Sequence, residues 1–272
     1  LATQAFAVDS FGYLWAGIDG GGAIRVPASG FTSFSERDGL GVRKVWAIVE
    51  DANGELLAVT KDETHYTLSR FDGTRFRAER PNVPGGIEFG WSWGHLAARS
   101  RTGGWWLGTG DGLFYFPRNF QSAPKRIGSE EGLPTGGNTG VFEDSKGAVW
   151  VSIRVPGANG LYRRAPGRQR FDRLDNAPGL PPMNKDANSV SAFAEDHLGN
   201  IWIGMIDGGL IRYRNGAFEQ FPPSSGAPDQ GVRALLIDAK GRLWIGSLRH
   251  GLLRVDEPGA AQPTFRSYQK KD

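Results

Sequence analysis

Asp196-His-Leu-Gly-Asn-Ile-Trp202-Ile-Gly204, continued by Asp207-Gly-Gly-Leu-Ile-Arg-Tyr213, decides how the rest of the chain is read. An aspartate opens a tight turn by accepting backbone N–H bonds. A glycine three residues later takes the left-handed conformation that closes it. An apolar strand carrying Trp202 then runs out, and the glycine turn after Asp207 reverses the chain again. The segment is apolar on both faces, as a strand sandwiched between sheets should be.

The same pattern recurs. Residues 9–17, 144–152, 196–204 and 238–246 are full copies of Asp-x-x-Gly-x-(Leu/Ile/Val)-Trp-x-Gly, with Ser152 in the last slot of the second. Two copies are degenerate: residues 51–59 carry Leu57 in the tryptophan slot, and residues 100–108 keep Gly103, Trp106 and Gly108 without the acid. The anchors at 15, 57, 106, 150, 202 and 244 repeat at intervals in the forties to low fifties, the period of a propeller blade. Short apolar strands precede each turn, at 5–8, 45–49, 96–98, 141–142, 190–194 and 232–237. Third strands follow at 23–26, 113–116, 161–163, 210–213 and 252–255, and more polar fourth strands at 31–34, 75–78, 171–174, 217–221 and 265–268. No segment has a helical period.

The expectation is an all-β fold: a β-propeller of six four-stranded blades, with a seven-bladed or truncated propeller as the alternative. It forms a single domain over 1–272, with blades near 1–37, 38–80, 81–127, 128–175, 176–222 and 223–272. A closed or nearly closed ring is favoured, because open edge strands invite aggregation. The tryptophans read as inter-blade packing, since each buried indole removes ~150–250 Å² from water.

Composition narrows the function. The 272 residues carry 32 basic and 29 acidic side chains, a balance that gives no electrostatic footprint for nucleic acid. Arg163, Arg164, Arg168, Arg170 and Arg173 read as a solvated outer strand and turn, with an anion-binding patch as the alternative. No cysteine is present, so disulfides and thiolate metal sites are excluded, and no apolar run approaches the ~20 residues of a membrane helix. Leu1 is not an initiator, and the chain reads as a mature or excised piece.

Val190-Ser-Ala-Phe-Ala-Glu-Asp196 through Gly204, and on to Tyr213, resembles the two-component regulator propeller repeat. Asp38-Gly39-Leu40, Glu131-Gly132-Leu133-Pro134 and Pro178-Gly179-Leu180-Pro181 resemble the Gly-Leu-Pro segment that precedes each repeat of that family. The resemblance implies an extracytoplasmic or periplasmic input domain of a membrane-bound regulator, a hybrid histidine kinase or diguanylate cyclase. It also implies a signalling module in the same parent chain or a partner protein. Some members of the family are thought to sense carbohydrates.

Propellers bind at the mouth of the central channel, on the loops between second and third strands and those joining blades. The candidate ligand-binding residues there are Arg43, Trp91, Trp93, Asn138, Arg154, Asn188, Asp207, Arg249 and His250, suiting a polar, anionic or carbohydrate-like small molecule or oligosaccharide. Trp91 and Trp93 flank Ser92 and would share one strand face, as core filling or as an aromatic platform. His65, His95, His197 and His250 lie far apart, so no histidine metal site, cofactor or catalytic residue is expected. Asp19, Asp111 and Asp207 each precede a glycine and read as turn residues. The alternative function is a propeller enzyme, a lyase, lactonase or glycan hydrolase, acting at the same face.

Overall fold

A computed structural model describes residues 3–9, 13–18, 21–26, 32–50, 55–62, 65–84, 87, 95–155, 159–183 and 189–268 of the chain. Its strands form six four-stranded sheets, each running through its strands in chain order, the meander of a propeller blade. The chain divides into two compact units, residues 1–143 and 144–272.

In the first unit, blade one is β1 (Thr3–Val8), β2 (Leu14–Ile18), β3 (Gly22–Val26) and β4 (Thr32–Phe34). Blade two is β5 (Val45–Glu50), β6 (Leu56–Lys61), β7 (Tyr66–Phe71) and β8 (Phe76–Glu79). Blade three is β9 (Ala97–Arg99), β10 (Trp105–Thr109), β11 (Gly112–Phe116) and β12 (Lys125–Ile127). The unit ends with β13 (Asn138–Glu143), first in the sheet continued by β14 (Val149–Arg154), β15 (Gly160–Arg164) and β16 (Asp172–Arg173). In the second unit, blade five is β17 (Val190–Glu195), β18 (Ile201–Met205), β19 (Leu210–Arg214) and β20 (Ala217–Gln220). Blade six is β21 (Val232–Ile237), β22 (Leu243–Ser247), β23 (Gly251–Val255) and β24 (Phe265–Tyr268).

The six-bladed propeller expectation holds. β7 and β12 were not legible as strands. Lys125-Arg126-Ile127 is short, polar and without an aromatic, and it takes strand form by pairing with Leu113, Phe114 and Tyr115.

The repeat pattern has a second layer. Asp196 Oδ1 accepts the turn amides of Leu198 and Asn200, each at 3.0 Å, while Oδ2 accepts the Trp202 indole N–H, also at 3.0 Å. Gly199 closes the turn at φ +75°. The same indole-to-carboxylate bond joins Trp15 to Asp9 (2.8 Å), Trp150 to Asp144 (3.0 Å) and Trp244 to Asp238 (2.9 Å). The acid therefore fixes the turn and the indole together. Blade three lacks the acid, and Trp106 donates to Glu143 at 2.7 Å instead.

On the other side of each indole lies an arginine of the third strand. Arg25, Arg163, Arg212 and Arg254 pair in register with Trp15, Trp150, Trp202 and Trp244, and their guanidinium carbons stand 5.2–5.8 Å from those ring centroids. This is cation–π geometry. It corrects the reading of Arg163 as solvated: the side chain is half-buried on Trp150, and Arg164 covers Phe171 at 5.3 Å. Arg168 and Arg170 remain exposed.

Inter-blade packing by tryptophan is also borne out. Trp15 sits with Phe34 of its own blade and with Phe71 and Phe76 of blade two. Trp202 and Phe221 share a cluster with Leu243, Ile245, Leu253 and Val255 of blade six. The Gly-Leu segments have a local cause as well. Single 3-10 turns at Glu36–Asp38 and Ser129–Glu131 end on left-handed Gly39 and Gly132, after which Leu40 and Leu133 are buried. A Cβ on Gly39 would come within 1.9 Å of the Phe76 carbonyl oxygen, so no side chain fits there.

Candidate functional site

Four inner strands carry a bulge opposite the second strand, between residues 3 and 5, 45 and 47, 190 and 192, and 232 and 234. A bulge leaves one residue out of the ladder and re-aims its side chain. The residues so placed include Trp46 in the first unit, and Ser191 and Arg233 in the second.

In the second unit the loops around these positions build a cleft. The β18–β19 turn and the segment joining blades five and six are tied by Gly231 N–H to the Ile206 carbonyl (2.5 Å), and Leu248 N–H bonds the Gly231 carbonyl at 2.9 Å. Ser247 Oγ donates to the Gln230 carbonyl at 3.1 Å and accepts the amides of Arg249 and His250 at 3.4 and 3.3 Å. This holds His250 Nε2 2.7 Å from Asp229 Oδ1. The histidine bond keeps the Asp229 carboxyl below its ordinary range, and the Arg249 charge adds to this.

Asp229 lines a cleft of about 390 Å³ together with Gly208, Gly209, Gln220, Phe221, Pro222 and Pro223. Gln220 Nε2 donates to the Gly208 carbonyl at 3.3 Å. The floor is backbone, because a Cβ on Gly209 would meet the Pro228 oxygen at 2.7 Å. Carboxylate, amide and peptide groups offer hydrogen bonds to a polar ligand, and the two prolines offer apolar faces.

The same unit holds a second charged group. Arg233, half-buried on the inner strand, has its ionisation lowered by burial and by the neighbouring Arg154 charge, and supported by Asp207. Guanidiniums are groups that can bind carboxylate or phosphate oxygens.

The structure thus groups Arg249 and His250 through Asp229, and Arg154 and Asp207 through Arg233. Arg43, in the first unit, is exposed and ion-paired to Glu36 at 3.2 Å. Asn138 opens β13. Trp91, Trp93 and Asn188, with Asp19, lie outside the described residues. Asp111 makes a turn: its amide bonds Thr109 Oγ1 and its carbonyl accepts Arg126.

Asp229, Gln220 and Arg233 were not singled out from the sequence. Arg233 left a signal, a lone basic residue inside an apolar inner strand. Asp229 and Gln220 left none, since only the folded loops bring them to the cleft. Among the shifted groups of the first unit, two are bases that burial holds towards the neutral form. Burial, helped by Lys44, pulls Lys61 down to about 8, with its ammonium 4.4 Å from the Trp46 ring centroid. Burial alone takes His95 from 6.5 to about 4. Among the described residues no group of three or more His, Asp or Glu could hold a metal ion, and no helix is long and apolar enough to cross a membrane.

The family model for the two component regulator propeller matches residues 184–207 and 226–249. No curated protein matches the chain. Among solved structures, the extracellular domain of BT4673 from B. thetaiotaomicron, described as part of a one component system, superposes with TM-score 0.69 at 18% identity over 99% of this chain. This chain spans about a third of that one, 33%. Virginiamycin B lyase from Staphylococcus aureus gives TM-score 0.68 at 13% identity, covering 99% of this chain and 85% of the enzyme. A gluconolactonase from Xanthomonas campestris gives 0.62 at 14% identity, covering 90% and 82%. At these identities the likeness is one of fold.

Proposed function

We propose that this propeller is the ligand-sensing or interaction domain of a bacterial signal-transduction receptor, because residues 184–207 and 226–249 carry two-component regulator propeller repeats. In this reading it works outside the cytoplasm, in the periplasm, and reports to a signalling module in its parent chain or in a partner. The ligand is polar or anionic and carbohydrate-like, held at the face where the second-to-third strand turns meet the blade-joining segments. The observation that carries the ligand site is the 390 Å³ cleft lined by Asp229 of the Asp229–His250 pair and by Gly208, which follows Asp207 in the chain. The cleft supplies acceptors for hydroxyl groups, and the arginines supply donors for an acidic substituent.

The test is a thermal-shift and calorimetric screen of neutral and acidic mono- and oligosaccharides against the chain and its Arg249→Ala and Asp229→Asn variants. Ligands that stabilise the chain and lose that effect in both variants support the site. Equal shifts in chain and variants would remove it.

A second reading is a propeller enzyme at this face. The observation favouring it is His250 itself, an imidazole oriented by a carboxylate at 2.7 Å, the arrangement of a general base. Turnover of lactone or glycoside substrates, abolished in His250→Ala, would select it over the sensor.

A further inference from the structure

Leu57, Val59 and Lys61 alternate along β6 and share one side of blade two. Leu57 and Val59 are buried in an apolar cluster with Trp105 and Phe116. Lys61 is the next residue in that row and is only 7% exposed, with buried Tyr66 directly opposite it on β7. The bulge between Val45 and Ala47 turns Trp46 out of the ladder, and its ring centroid lies 4.4 Å from Lys61 Nζ. The Lys61 amide donates to the Lys44 carbonyl at 3.2 Å, and the exposed Lys44 ammonium acts on the same corner. Lys61 ends its strand, and the turn that follows carries exposed Asp62 and His65.

We propose that Lys61 is a covalent binding site for a small 2-oxo acid, held as a Schiff base on Nζ. Two features of the corner supply the nucleophile. Apolar walls and a neighbouring cation both disfavour the ammonium, and these are the two ways in which a protein makes an amine reactive. With the Lys61 amine at about 8, about a tenth of it is free at pH 7, against fewer than about one in a thousand for an ordinary lysine. The free amine adds to the keto carbon. The carbonyl oxygen takes one proton from the nitrogen and one from solvent and leaves as water, and the nitrogen keeps the positive charge as an iminium. Hydrolysis reverses each step. Two further features choose the ligand. An iminium keeps a cation beside the Trp46 ring, where an acyl or carbamate product would lose it. Lys44 opposes that charge, and a carboxylate on the imine carbon answers both cations at once. A simple aldehyde lacks that group, and a 2-oxo acid carries it.

Reductive trapping on the 272-residue chain tests this. The protein is incubated at neutral pH with sodium cyanoborohydride and either glyoxylate or acetaldehyde, and the secondary amines formed are mapped by peptide mass spectrometry. Glyoxylate should label Lys61 on the order of tenfold faster than the exposed Lys125, Lys146 and Lys240. Normalised to Lys240, it should also label Lys61 severalfold faster than acetaldehyde does. Lys44 is exposed, so Lys44→Gln leaves the fold intact, and in that variant the preference for glyoxylate over acetaldehyde should fall away. That ratio is unaffected by any change in the fraction of free amine, which acts on both reagents alike. Labelling of Lys61 no faster than that of Lys240 overturns the site, because a lysine buried only for packing reacts more slowly than an exposed one. A glyoxylate preference that is absent, or that persists undiminished in Lys44→Gln, overturns the assignment of a 2-oxo acid.

Discussion

Replacing Asp196 with alanine strips one buried carboxylate from four N–H donors at once: the Leu198 and Asn200 backbone amides, the Asn200 side-chain amide and the Trp202 indole. Asp196 is 3% and Trp202 0% exposed, so water cannot reach the indole N–H without local opening. The Leu198 amide lies at the turn and can rehydrate, and the Asn200 carboxamide can rotate to another acceptor, which leaves two fixed buried donors stranded. At about 1–3 kcal/mol for each unsatisfied buried group, Asp196→Ala should cost about 2–6 kcal/mol. Asp196→Asn keeps an acceptor oxygen and should cost about half as much. Trp202→Phe removes the indole donor from the other side. In a double-mutant cycle with Asp196→Ala, the two changes should therefore couple by about 1–2 kcal/mol. The assay is urea denaturation followed by far-ultraviolet circular dichroism, with midpoints compared at constant slope. A cost below about 1 kcal/mol for Asp196→Ala, or additivity within about 0.5 kcal/mol, would refute the claim that turn and indole are one unit.

Other outcomes follow from the same geometry. Arg212 is 1% exposed, bonded to Glu219 and to the carbonyls of Pro258 and Ala260, so Arg212→Met should cost about 3–5 kcal/mol by stranding those acceptors, read by the same denaturation. His95 takes its proton near pH 4 when folded and near 6.5 when unfolded. Its contribution to stability is complete above 6.5 and is lost as pH falls towards 4, and His95→Gln should flatten that part of the stability–pH curve. Gly39→Ala meets both a positive φ of +89° and the Phe76 carbonyl, and should lower the thermal midpoint more than Gly73→Ala, where φ is +99° but nothing lies within 4 Å. Arg249→Ala, exposed, should leave stability within about 0.5 kcal/mol of the parent while removing any ligand-induced thermal shift.

The fold was legible because its signals are local and repeated. Asp196, Gly199 and Trp202 specify a turn and a strand within nine residues, and six copies at a blade-length period leave few architectures. The roles of the arginines were less legible, although Arg25, Arg212 and Arg254 each stand ten residues after a tryptophan. That interval means nothing until strand pairing lays the guanidinium over the ring. Arg163 shows the error of reading charge without register, since a run of arginines looks solvated until one of them is found stacked on Trp150.

The candidate site was legible only as a face. Arg249, His250, Arg154 and Asp207 were placed there by counting turns, but Asp229, Gln220 and Arg233 depend on the bulge at β21 and on how the blade-joining segment crosses the β18–β19 turn. By itself the sequence determined most of the strands, their turns and the blade repeat, because hydrogen-bonded hairpins and apolar periodicity act over a few residues. Only the tertiary structure decided which carboxylate holds which indole, which arginine is buried and which loops converge on a cleft. The indole–carboxylate pairs lie only six residues apart but form once the strands are paired, the His250–Asp229 loop contact joins residues more than twenty positions apart, and no local pattern encodes the neighbour that covers a sheet face.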